Sequence, residues 1–137
     1  MQPDAGDRIA EALAAAGVEV EYVVNNAGFG LFGRAVQRDR ADQLDMIAVN
    51  IRALTDSVAA VLRPADPQSR RPAQCRLDRG LSAGPGMAVY YATKAYVLSF
   101  TEAMRAELAP HGVRVTVLCP GPVPSEFQAR AGFSARI

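Results

Sequence analysis

Tyr90 and Lys94 stand four residues apart in a stretch of helix-forming residues, a spacing that puts two side chains on one face of an α-helix with their polar ends in reach of each other. A phenol near its reference pKa of about 10 is a poor base at neutral pH, but a neighbouring ammonium stabilises the phenolate and lowers that value. Such a pair can exchange a proton with a substrate oxygen. The spacing alone is equally that of an exposed Tyr/Lys pair on an ordinary helix, so the pair needs company. A second motif, Gly28-Phe29-Gly30-Leu31-Phe32-Gly33, satisfies the glycine spacing of a dinucleotide-binding loop. No acidic residue ends a second strand about 20 residues further on, and Phe29, Leu31 and Phe32 suit substrate-side packing better than close approach of a pyrophosphate. Cys75 and Cys119 are too few for a disulfide framework and lack metal-ligand neighbours.

The elements that must position Tyr90 and Lys94 are legible from pattern. Arg8 to Ala16 is rich in strong helix formers and Gly17 stands where a helix ends. Val18 to Val24 is mostly β-branched or aromatic and runs into the turn-forming Asn25-Asn26-Ala27-Gly28, which predicts a strand and then a loop. From Ala41 to Leu62, Leu44, Ile47, Ile51, Leu54, Val58 and Val61 predict one long amphipathic helix. A second helix is predicted from about Val89 to Leu108, with Val97, Phe100, Met104 and Leu108 on one face, closed by His111-Gly112. Val113 to Leu118 then forms a strand that ends at Pro120-Gly121-Pro122. This alternation fits an open α/β sheet with crossover helices.

With these elements in place, Tyr90-Tyr91-Ala92-Thr93-Lys94 resembles the Tyr-x-x-x-Lys signature of the short-chain dehydrogenase/reductase family. Three more pieces follow in family order: Asn25-Asn26-Ala27-Gly28 after a strand, Asn50 in the first long helix, and Pro120-Gly121-Pro122-Val123 after the last strand. The resemblance covers nearly the whole chain apart from the segment between Arg63 and Ala83. It implies a single, partial Rossmann-like domain over residues 1–137, a doubly wound parallel sheet without the family's first strands and its C-terminal strand. It implies hydride transfer between NAD or NADP and a carbonyl compound or secondary alcohol, with Tyr90 as proton donor or acceptor. Lys94 would hold the nicotinamide ribose and tune Tyr90, and Asn50 would support a water relay to Lys94. Asn25, Ala27 and Gly28 would line the cofactor channel, joined by Pro120, Gly121, Val123 and Ser125 from the last loop.

The resemblance also exposes departures. The family's Thr-Gly-x-x-x-Gly-x-Gly loop is expected ahead of these elements, and the chain as written starts after it. The position thirteen residues before Tyr90, where the family has a catalytic serine at the end of an apolar strand, is Leu77. The surrounding stretch carries Pro64, Pro67 and Pro72 among Arg63, Arg70, Arg71, Arg76 and Arg79, and is expected to be an exposed Arg/Pro-rich loop over 63–83. One account is a pair of compensating reading-frame slips, near Arg63 and near Gly84. With suitably chosen codons the shifted frame reads His-Asn-Val-Ala-Ser-Thr-Ala-Gly-Phe-Gln, its serine at position 77. On either account Gln74 to Leu77 should form no interior strand.

A net charge of +1 and a composition 50% hydrophobic and 21% charged describe one globular domain without a strong field toward nucleic acid or membrane. The arginines between 63 and 79 lack the interleaved aromatics of a nucleic-acid surface. No basic region followed by an apolar run opens the chain, and a cytoplasmic protein is expected. The partners that the resemblance implies are a small carbonyl or alcohol substrate and a second copy packed through the long helices. The competing expectation is a non-catalytic remnant or interaction module derived from such an enzyme.

Overall fold

The computed structural model describes residues 4–62, the main chain of 74–78, and residues 84–118. Helix α1 covers Ala5–Ala15 and ends as expected, with Gly17 at φ 63°, a left-handed conformation that suits glycine. Strand β1 covers Tyr22–Asn25, shorter than expected; Glu19 and Glu21 interrupt Val18 to Glu21, and those positions are exposed or only half-buried. A 3₁₀ turn at Ala35–Gln37 leads to Asp39, whose carboxylate accepts from the amides of Ala41 (2.7 Å) and Asp42 (3.2 Å) and so caps α2, Arg40–Ile47.

The long helix from Arg40 to Val61 is continuous but not uniform: α2 passes into a π-helical segment, Ala48–Ala53, before α3, Leu54–Val61. The wider turn changes which residues face inward. The predicted stripe began at Leu44, which is 48% exposed, whereas Met46, Asn50, Leu54 and Val58 are the buried positions. A repeat of four is too long for a regular α-helical face and fits one that contains a π-turn, a feature that tends to occur where a helix is shaped for function. Helix α4 covers Ala88–Leu108, a 3₁₀ turn follows at Ala109–His111, and Gly112 at φ 75° leads into β3, Arg114–Leu118.

The expectation of a loop across 63–83 is corrected at its centre. Gln74–Asp78 forms strand β2, the middle of three parallel strands in the order β1-β2-β3. The register sets Cys75 between Val23 and Val115, and Leu77 between Asn25 and Val117. Gln74-Cys75-Arg76-Leu77-Asp78 alternates with a period of two, which suits a strand whose sheet is covered on one face. The rows containing Arg76 and Asp78 carry Val24, Thr116 and Leu118, all exposed, so the sheet as described is not closed on that side. The expectation looked for a continuous apolar run and weighed the arginines as buried charge. The strand also counts against the reading-frame account, which required its absence. The remainder of 63–83 lies outside the described residues.

Helices α3 and α4 supply the core against the other face, where Leu54, Val58, Val97, Leu108 and Val115 form one buried cluster. Arg105 Nε donates to the Val115 carbonyl at 3.1 Å and fixes α4 along β3. Helix α1 packs on α3 and lacks a side-chain cap of its own; the Gly6 amide instead donates to Asp56 Oδ2 at 2.8 Å. A Cβ on Gly6 would lie 2.8 Å from that carboxylate. Gly6→Ala should therefore destabilise the chain by about 1–3 kcal/mol although alanine is the better helix former. In an Asp56→Ala background, already weakened by about 1 kcal/mol, the same change should be neutral or stabilising. Urea unfolding of the four chains measures the cycle, and equal effects in both backgrounds would remove Asp56 from this role.

Candidate functional site

The loop after β1 is held from two sides. On its inner side, Asn50 donates from Nδ2 to the Phe29 carbonyl at 2.9 Å and accepts at Oδ1 from the Phe29 amide at 3.1 Å. Its second Nδ2 proton goes to Thr93 Oγ1 at 3.0 Å, and Thr93 in turn donates to the Tyr90 carbonyl at 2.7 Å. Asn50 and Thr93 are 3% and 1% exposed, so these groups have little access to water as an alternative partner. On the outer side, Arg38 donates from Nε (2.7 Å) and from Nη2 to the Phe32 carbonyl, and the Gly33 amide donates to Gly86 at the foot of α4. The Phe32 ring lies against Gly86, where an added Cβ would meet it at 3.3 Å. This segment thus packs against Gly86, just before α4.

Gly28 is where the loop passes closest to the chemistry-bearing groups: a Cβ there would lie 3.1 Å from Asn50 Oδ1 and 3.9 Å from Lys94 Nζ. Lys94 Nζ lies 5.5 Å from the centre of the Tyr90 ring, within range of an attractive cation–π contact. Asn25, Asn26, Ala27, Asn50, Leu54, Lys94 and Val97 line one small cavity of about 10 Å³, at the lower bound of what a single water requires. Asn25 accepts at Oδ1 from Ser57 Oγ at 2.9 Å, while its Nδ2 is buried without a hydrogen-bond partner. A buried donor beside an ammonium fits oxygen-bearing ligands such as water or the hydroxyls of a ribose.

The structure therefore brings Tyr90, Lys94, Asn50, Asn25, Ala27 and Gly28 together. Pro120, Gly121, Val123 and Ser125 lie outside the described residues. Leu77 is aligned with Asn25 at the end of β2, beside the same loop. Sequence reading missed Thr93: a polar residue inside the Tyr-x-x-x-Lys span carried no signal of its own, although its position four before Val97 on the core face could have indicated burial. It also did not foresee that the Asn50 side chain would be fully engaged by Phe29 and Thr93. Among the described residues no group of His, Cys, Asp and Glu could hold a metal ion, and no helix is long and apolar enough to cross a membrane.

A parallel α/β sheet with Tyr90 and Lys94 beside the loop at the end of a strand defines the class. Residues 2–133 match the short chain dehydrogenase family model. The chain belongs to that family. It is 40% identical over 113 residues to sulfoacetaldehyde reductase 2 of Chromohalobacter salexigens, covering 79% of this chain and 44% of that protein. It is 35% identical over 134 residues to the inactive 2-(S)-hydroxypropyl-CoM dehydrogenase 2 of Xanthobacter autotrophicus, covering 93% and 58%. A short-chain dehydrogenase from Sphingobium yanoikuyae, solved in complex with NADPH, superposes with a TM-score of 0.83 at 29% identity, over 97% of this chain and 52% of that one. The chain spans about half the length of the curated relatives it matches.

Proposed function

We propose that these residues form the catalytic half of an NAD(P)-dependent oxidoreductase acting on a carbonyl compound or secondary alcohol. The carrying observation is the approach of Lys94 Nζ to Gly28 beside Tyr90 and the cavity of the unpartnered Asn25 amide. Tyr90 is the group that gives a proton to, or takes one from, the substrate oxygen. Lys94 and the Asn25 amide are the groups that hold ribose hydroxyls, with Ala27 and Gly28 as the wall; Pro120, Gly121, Val123 and Ser125 belong to the same reading as cofactor-binding residues. The cofactor, when bound, supplies the hydride. Both Nδ2 protons of Asn50 are committed to Phe29 and Thr93, so a water held on the Lys94 ammonium would be met by an Asn50 acceptor, Oδ1 or the main-chain carbonyl, set in place by the π-helical segment. A homo-oligomer through the long helices belongs to the same reading.

A second reading, a non-catalytic derivative, rests on Leu77. No hydroxyl stands at the position next to Asn25 where the family has its serine.

Nicotinamide mononucleotide distinguishes the two, because it lacks the adenylate half and its pyrophosphate and so makes little demand on a phosphate-binding turn. Titrated into the ¹⁵N-labelled chain, it should bind with a Kd on the order of 1 mM, a weak contact of about −4 kcal/mol. Its shifts should centre on the Asn25 side-chain amide and the Ala27 and Gly28 main chain, and Lys94→Met should abolish them. Saturating ligand without shifts at these positions, or shifts indifferent to Lys94→Met, would reject the first reading.

A further inference from the structure

We infer that Thr93 is a positioning residue of this site: its hydroxyl is the joint that ties the loop after β1 and the π-helical segment to the Tyr90–Lys94 turn. The single hydroxyl proton of Thr93 is committed to the Tyr90 carbonyl at 2.7 Å. Toward Asn50 the oxygen can then only accept, and what meets it at 3.0 Å is Nδ2. This fixes the amide in one of its two orientations. With Nδ2 on Thr93 and on the Phe29 carbonyl, Oδ1 is left for the Phe29 amide, and all three bonds form with matched polarity. Reversing the amide would set oxygen against oxygen at both Thr93 and the Phe29 carbonyl.

Among the described residues this is the polar route from the loop to α4 that passes through buried groups. The loop's other bond to that region runs from Gly33 to Gly86, at its outer end, and leaves the Gly28–Phe29 segment beside Lys94 unconstrained. Valine has nearly the shape of threonine and would fill the same 1% exposed space, but it offers no acceptor to Asn50. Serine keeps the hydroxyl and loses only a methyl group. The demand is thus for an oxygen on a short side chain. Its meaning for catalysis rests on the oxidoreductase reading of Tyr90 and Lys94, because those are the groups the joint aligns with the loop.

Hydrogen exchange and side-chain amide resonances of the ¹⁵N-labelled 137-residue chain test the joint without cofactor, so it can fail while that reading stands, and the reverse. In Thr93→Val the Phe29 amide should exchange about tenfold faster, a local opening, while the Val115 and Val117 amides keep their rates. The Asn50 side-chain amide resonances should shift. Thr93→Ser should match the parent in both readouts. If Thr93→Val fails to fold, Thr93→Ala against Thr93→Ser reads the same contrast, with alanine releasing Phe29 and serine holding it. Unchanged Phe29 exchange and Asn50 resonances in Thr93→Val, or serine and alanine variants that behave alike, would overturn the inference.

Discussion

Asn50→Asp should destabilise the chain nearly as much as Asn50→Ala, by about 3 kcal/mol, although aspartate has almost the size and shape of asparagine. The carboxylate can still accept from the Phe29 amide, but it cannot donate to the Phe29 carbonyl or to Thr93, and it places oxygen against oxygen at both. Leaving a buried polar group unsatisfied costs about 1–3 kcal/mol, and two are affected. Asn50 is 3% exposed, so the new charge would also be poorly solvated, with Lys94 Nζ as the nearby compensation. Against a total stability of about 5–15 kcal/mol this is a large fraction, and the urea midpoint should fall by about 1–2 M in both variants. If Asn50→Asp unfolds at the parent's midpoint while Asn50→Ala does not, volume rather than hydrogen bonding is what matters there.

That prediction depends on a geometry only partly legible beforehand. Tyr90 and Lys94 could be placed on one face of α4 because four-residue spacing in an α-helix leaves little choice, and the strand-to-loop passage at Asn25 to Gly28 followed from residue types that stop strands. Asn50 could be placed on a helix but not turned toward the loop. Its orientation follows from a π-turn, which forms when packing favours the wider turn and leaves no composition of its own in Ala48 to Ala53. The same turn exposes Leu44 and buries Met46, the reverse of what a uniform period dictates. Strand β2 was hidden for another reason. Parallel strands covered on both faces read as apolar runs, and Gln74 to Asp78 is an alternating strand that β1 and β3 pair from both sides. Thr93 and Thr101 were passed over in α4 because buried hydroxyls look polar in sequence, while in the helix they bond to the Tyr90 and Val97 carbonyls.

Turnover is where the largest effect is expected. The 137-residue chain, given NADH or NADPH and a panel of ketones and aldehydes, should show no reduction above background, and Leu77→Ser alone should not change this. Position 77 is in register with Asn25 and is where the resemblance puts the family's serine, and a single oxyanion-type donor is worth about a hundredfold or more in rate. That factor multiplies an activity already limited by cofactor binding, because the pyrophosphate needs backbone amides at a helix N-terminus that the family sets in a Thr-Gly-x-x-x-Gly-x-Gly turn, a sequence that the 137 residues do not contain. It also multiplies an alignment term, since errors of about 1 Å in the reacting groups can cost about a hundredfold. Joining the chain to the N-terminal nucleotide-binding segment and C-terminal segment of a relative, together with Leu77→Ser, should give measurable ketone reduction. Tyr90→Phe in that fusion should remove at least about a thousandfold of the rate, within the usual range for losing a positioned acid or base. Steady-state rates for these four proteins and for Tyr90→Phe in the unmodified chain decide the matter: reduction by the unmodified chain that disappears in its Tyr90→Phe variant would show that Leu77 is no obstacle, and a fusion as active with phenylalanine at 90 would take Tyr90 out of the chemistry.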